Sequence, residues 1–168
     1  MEGGMAATTV RKARTSDTPF LWEMLYEASF PLDDPKPPRE TLQEPQIKRY
    51  LSGWGRSGDV ALVAEYRERP VGAAWYRLFP RSEPGYGFVD ENTPELSIAV
   101  VPEARARGIG RLLLDRLLQA ARADGFSALS WSVGSANRPA RSLYERCGFE
   151  VVATDDAGDG VTMRVALR

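Results

Sequence analysis

Arg105-Ala106-Arg107-Gly108-Ile109-Gly110-Arg111 carries the clearest chemistry in the chain. It follows an apolar stretch, residues 96–101, and runs directly into Leu112-Leu113-Leu114. A strand, a short glycine loop and a helix in that order collect unpaired backbone N–H groups at one point. Such a point binds an anion, above all a phosphate or pyrophosphate. Gly108 and Gly110 take side chains away where a ligand must touch backbone. Arg105, Arg107 and Arg111 add positive charge. From Arg105 to Arg122 there are five arginines and one acid, in a protein whose formal net charge is −1, so the positive charge is local.

Three kinds of phosphate loop can be compared with this one. A Walker loop ends in Lys and Ser or Thr, whereas Arg111 and Leu112 follow the second glycine here. A dinucleotide fingerprint needs a third glycine, where Leu113 stands, and belongs in a first βα turn. The third pattern, R/Q-x-x-G-x-G/A after an apolar strand, fits Arg105 to Gly110 at every position. A second motif follows, Asn137-Arg138-Pro139-Ala140-Arg141-Ser142-Leu143-Tyr144-Glu145-Arg146-Cys147-Gly148-Phe149. Asn137 suits a helix N-cap, Pro139 its first turn and Gly148 its end.

Together the two motifs resemble the hallmarks of the GNAT superfamily of acetyl-CoA-dependent N-acetyltransferases. The resemblance implies an α/β fold of the mixed α+β kind: a single splayed mixed sheet flanked by helices, in the order β-α-α-β-β-β-α-β-α-β-β. It implies a V-shaped gap between strands at 96–101 and 128–133 that takes the pantetheine arm of acetyl-CoA. Ile98, Ala99 and Val100 would pair with the arm through their backbone. Arg105, Ala106, Arg107, Gly108, Ile109, Gly110 and Arg111 would hold the pyrophosphate. Asn137 would contact the pantetheine, and Tyr144 would lie near the sulfur and protonate the departing thiolate.

A base is also needed, because an acceptor amine is largely protonated near neutral pH. The chain has no histidine. That removes Ser-His and Cys-His catalysis and leaves a carboxylate, a tyrosine or a water relay. Glu95 is the first choice, with Asp90 and Glu91 as competitors. Cys147, on the stripe Ala140, Leu143, Tyr144, Cys147, reads as structural. Tyr86, Phe88, Trp54 and Trp75 could line an acceptor pocket or simply pack.

The elements that must position these groups are legible by pattern. A strand is expected at 8–12 and a helix after Thr15-Ser16-Asp17. A second helix is expected over about 39–51, and a hairpin of 60–65 with 70–78 around Arg67-Glu68-Arg69. The helix over 107–124 buries Ile109, Leu113, Leu117, Ala120 and Ala121. A strand at 128–133, a helix at 138–147 and a terminal hairpin follow. Residues 79–94 form a long loop rich in proline, glycine and aromatics, as functional loops often are.

The 168 residues read as a flexible leader at 1–7, with Met5 an alternative start, and a single domain at 8–168. Composition is that of a soluble globular protein, with 43% hydrophobic and 27% charged residues. The expected location is the cytoplasm. One cysteine means no internal disulfide. Neither a metal, a nucleic-acid partner nor a membrane is expected. The partners are acetyl-CoA and an amine, and a homodimer is left open. The acceptor is expected to be a small-molecule amine. The alternatives are a protein N-terminus or lysine, and a non-catalytic acyl-CoA-binding module.

Overall fold

A computed structural model of the protein describes residues 7–167. All of the expected leader except Ala7 lies outside them, and so does Met5. The elements are β1 (Thr9–Lys12), α1 (Thr18–Ser29), α2 (Pro45–Lys48), β2 (Val60–Tyr66), β3 (Arg69–Arg77), β4 (Glu95–Val100), α3 (Ile109–Ala123), β5 (Ala128–Gly134), α4 (Arg138–Arg146), β6 (Glu150–Thr154) and β7 (Gly160–Ala166). Their order is the expected one. The strands form one seven-stranded mixed sheet in the order β1-β2-β3-β4-β5-β7-β6. The described residues group into two compact units.

The first unit runs to Trp75 and takes in Ser97–Leu117. β1 lies antiparallel on β2, from Thr9 opposite Glu65 to Lys12 opposite Leu62. Arg11 spans the gap from β1 to α1. It donates two N–H bonds, at 2.7 and 3.0 Å, to the carboxylate of Asp17, which also accepts the Arg14 N–H at 2.6 Å. The Arg11 guanidinium holds the Asp17 carboxyl below its ordinary range, against the opposing effect of burial. α1 buries Leu21, Met24, Leu25 and Tyr26. The hairpin of β2 and β3 turns through Arg67 and Glu68, both at positive φ (53° and 65°), as a tight two-residue turn requires. Gly72 on β3 is a site of close approach. A Cβ there would sit 3.0 Å from the Ala99 carbonyl oxygen and 3.1 Å from Leu113 Cδ1.

The expected helix over 39–51 is a correction. Residues Arg39–Gln43 form a 3-10 turn, Glu44 is extended (φ −63°, ψ 133°), and α2 starts afresh at Pro45. Proline drives the residue before it out of the α region, so Pro45 ends one helix and opens the next.

The second unit runs from Tyr76 to Leu96 and from Leu118 onward. β7 is paired antiparallel with β5 on one side and β6 on the other. α4 starts at its cap, where the Asn137 side chain accepts the Ala140 N–H at 3.4 Å, and ends before Gly148 at φ 97°. The Tyr76 hydroxyl donates to the Asp124 carboxylate, and its ring stands edge-on to Phe126 at 5.7 Å.

Candidate active site

The glycine loop belongs to the first unit. β4 ends at Val100, a 3-10 turn covers Pro102–Ala104, and α3 begins at Ile109. The Leu112 N–H donates to the Gly108 carbonyl at 3.1 Å and starts the helical ladder. The N–H groups of Ile109, Gly110 and Arg111 therefore have no acceptor within the helix. Ala106 and Gly108 adopt positive φ, 63° and 80°, and fold the loop back on itself. Nothing lies within 4 Å of where a Cβ on Gly108 would be, and the nearest atom to one on Gly110 is Val100 Cγ2 at 4.0 Å.

The three arginines differ in what they touch. Arg105 Nε donates to the Val100 carbonyl at 3.0 Å, and its NH2 donates to Glu27 on α1 at 2.9 Å. Arg111 pairs with Asp115 at 3.3 Å, both half exposed. Arg107 is exposed and makes no ion pair or side-chain hydrogen bond among the described residues. Ile98, Ala99 and Val100 are half-buried on β4.

Tyr144 and Glu95 belong to the second unit. Tyr144, on α4, is 3% exposed. Its ring stacks on Trp131 of β5 with centroids 3.5 Å apart and planes 8° from parallel, and meets Phe149 edge-on at 5.0 Å. Its hydroxyl is buried without a hydrogen-bond partner. Burial pushes its phenol well above the ordinary tyrosine range, so it keeps its proton at neutral pH.

Glu95 is the first residue of β4, not the residue before it, and is 2% exposed. It stands in parallel register with Ser130 of β5. Successive strand residues face opposite ways, so Glu95 shares the Ser130 face while Tyr144 lies on the Trp131 face. The two candidate catalytic groups thus approach β5 from opposite sides.

The competing acids are engaged in folding the 79–94 loop. Asp90 accepts from the Asn92 N–H at 2.8 Å and the Thr93 hydroxyl at 2.9 Å. Glu91 accepts the Arg81 N–H at 2.8 Å. Gly87 seats the loop on β5. A Cβ there would meet Ser132 N and Trp131 C at 3.0 Å and the Glu95 carboxyl carbon at 3.2 Å.

Of the aromatics expected near an acceptor, Trp75 is fully buried core, Phe88 is half-buried beneath Arg81, and Tyr86 is exposed. Cys147 is partly exposed. Trp131, Ser130, Gly87 and Glu27 escaped sequence reasoning. Only Trp131 left a signal, in its alternation with Leu129 and Val133. Among the described residues no group of histidine, cysteine or acidic side chains could hold a metal ion, and no helix is long and apolar enough to cross a membrane.

Residues 20–149 match the Acetyltransferase (GNAT) family. The chain belongs to that family. The GNAT chain is also similar to curated mycothiol acetyltransferases. One, from Rhodococcus jostii, is 34% identical over 100 residues, which cover 58% of this chain and 31% of that protein. Another, from Beutenbergia cavernae, is 43% identical over 65 residues, 38% of this chain and 22% of that one. The matched stretches thus span under a third of these relatives.

Among solved structures, a ribosomal-protein-alanine N-acetyltransferase from Brucella melitensis aligns with TM-score 0.70 and 28% identity, covering 95% of this chain and 99% of that one. A putative acetyltransferase from Salmonella typhimurium, solved with its cofactor acetyl-CoA, aligns with TM-score 0.72 over 97% and 95% of the two chains. At 24% identity it supports the fold alone.

Proposed function

We propose that this GNAT chain transfers an acetyl group from acetyl-CoA to the primary amine of a small molecule by direct attack. The observation that carries the cofactor half is the loop at the start of α3. Its free N–H groups, the open space over Gly108 and Gly110, and the cation Arg107 suit a pyrophosphate. Asn137, at the cap of α4, is the residue proposed for the pantetheine, and Ile98, Ala99 and Val100 offer backbone groups from β4.

The reaction must move two protons off nitrogen when the amine arrives as an ammonium ion. Glu95, directly or through a water, takes the first and frees the lone pair. Nitrogen then attacks the thioester carbon. The C–N bond forms, and the carbonyl oxygen takes up negative charge, stabilised by a backbone N–H of β4. Loss of the second proton and breakage of the C–S bond give the amide. Tyr144 delivers a proton to the thiolate and regains one of the two that left nitrogen, and the other goes to solvent. A thiol of pKa ~8.5 is a moderate leaving group, so an acid at sulfur is useful. Burial keeps Tyr144 protonated, and its unpartnered hydroxyl has no competing acceptor.

The small-molecule reading is supported by the relatives named mycothiol acetyltransferase. A protein N-terminus is the second reading. It is supported by the 28% identity to the ribosomal-protein-alanine N-acetyltransferase over nearly the whole chain. The deciding experiment is release of free thiol from acetyl-CoA with a panel of small amines and a peptide beginning with alanine. Turnover of the peptide alone would replace the first reading by the second. Tight acetyl-CoA binding with no turnover of any acceptor would favour a binding module over both.

A further inference from the structure

We infer that Glu27 on α1 is the positioning residue for the cofactor loop, and that Arg105 is the strut through which it acts, not a ligand of the pyrophosphate. This rests on the proposed reading of that loop as a pyrophosphate site. The guanidinium of Arg105 is engaged within the chain at Nε and at one terminal nitrogen. Its Nε holds the carbonyl of Val100, the last residue of β4, at 3.0 Å, and its NH2 holds Glu27 at 2.9 Å.

Immediately after Arg105 the backbone enters the left-handed region at Ala106, a non-glycine residue at φ 63°. That conformation is unfavourable for a residue with a Cβ, and it persists only where neighbours hold it. Arg105 anchors the loop on one side of this turn, and α3 anchors it on the other.

The Glu27 carboxylate is only 11% exposed and also lies 3.6 Å from Lys36 Nζ. Lys36 in turn donates to the Phe30 carbonyl. One carboxylate therefore fastens both the start of the glycine loop and the chain leaving α1. Two cations offset the charge that Glu27 brings near an anion site.

The two roles for Arg105 predict effects of opposite sign. If Arg105 gripped phosphate, Glu27 would compete for it, and removing the acid would tighten cofactor binding. If Arg105 is a strut, removing the acid slackens the loop and weakens binding. Glu27→Gln keeps the shape and removes the charge. Acetyl-CoA binding is measured by calorimetry, alone and in an Arg105→Met background. Turnover of S-acetylpantetheine, which lacks the pyrophosphate, is measured beside it.

Glu27→Gln is expected to weaken acetyl-CoA binding about fivefold, the upper end for a half-exposed ion pair. It should leave kcat/KM for S-acetylpantetheine unchanged and add nothing to Arg105→Met. Unchanged or tighter acetyl-CoA binding overturns the inference, and so does an equal loss with both thioesters or a full additive loss in the double variant. If the unaltered protein fails to bind acetyl-CoA, the cofactor reading falls and the inference with it. If it binds and Glu27→Gln binds equally, the inference falls alone.

Discussion

Replacing Tyr144 by phenylalanine should make the protein more stable and its reaction slower. The ring is retained, and with it the stack on Trp131 at 3.5 Å and the edge contact with Phe149 at 5.0 Å. Only a buried hydroxyl without a hydrogen-bond partner is lost. Burying such a group unpaired costs roughly 1–3 kcal/mol. At the lower bound, its removal returns about 1 kcal/mol, or about 2–4 °C in Tm for a chain of this size. The same hydroxyl is the proposed acid at sulfur. Losing a general acid costs at least ~10² in kcat, with the acetyl-CoA KM nearly unchanged.

Thermal unfolding and free-thiol release on one preparation read both effects. A near-normal kcat would return Tyr144 to the role of a core aromatic, and a lowered Tm would show that its hydroxyl is satisfied in solution. The raised phenol pKa gives a third readout. Above pH ~10 the unfolded chain releases this proton while the folded one retains it. As the pH climbs further, ionisation of the unfolded chain draws the protein toward unfolding. Tyr144→Phe should therefore unfold less steeply in alkali.

Gly110 has neither a positive φ nor a crowded Cβ position, so Gly110→Asp should fold normally. It should still lose acetyl-CoA affinity by roughly a hundredfold, because it sets a carboxylate among free N–H groups meant for an anion. Unchanged affinity by calorimetry would refute the phosphate loop. Asp17→Asn should cost about 2 kcal/mol in urea denaturation at pH 7, because it breaks charged bonds to Arg11. Asp17 has a lowered pKa when folded. Its contribution is present above pH 3.8 and is lost as the pH falls through the folded value, so the variant should be less acid-sensitive than the parent. Gly87→Val should lift the 79–94 loop from β5 and raise the acceptor KM roughly tenfold, leaving acetyl-CoA binding intact. A parental acceptor KM would make that loop a plain connector.

The order of elements was legible because each carries local punctuation. Gly108 and Gly110 open α3, Asn137 caps α4, and Arg67-Glu68 turns the first hairpin. Pro45 was punctuation too, and its effect on Glu44 explains the broken second helix. β4 starts at Glu95, one residue before the apolar run. The Ser130 N–H donates to the Pro94 carbonyl at 3.0 Å, so pairing with β5 begins before the apolar run does. The pairing of Arg105 with Glu27, 78 residues away, leaves no trace in local pattern. Neither does the stack of Tyr144 on Trp131, which depends on how α4 lies across β5. The motifs named candidate residues, and tertiary packing decided which of them are committed to partners within the chain.

The parallel stack of Tyr144 on Trp131 also has an optical consequence. A phenol stacked 3.5 Å from an indole is placed to pass its excitation energy to it, so Trp131 emission is expected to report on Tyr144. The rigid pair couples two chromophores in a fixed chiral arrangement, which gives a near-ultraviolet dichroism of its own. The proposed acid therefore carries a built-in chromophore, and a thioester sulfur arriving at its hydroxyl would be visible as a change in indole light, without any added label.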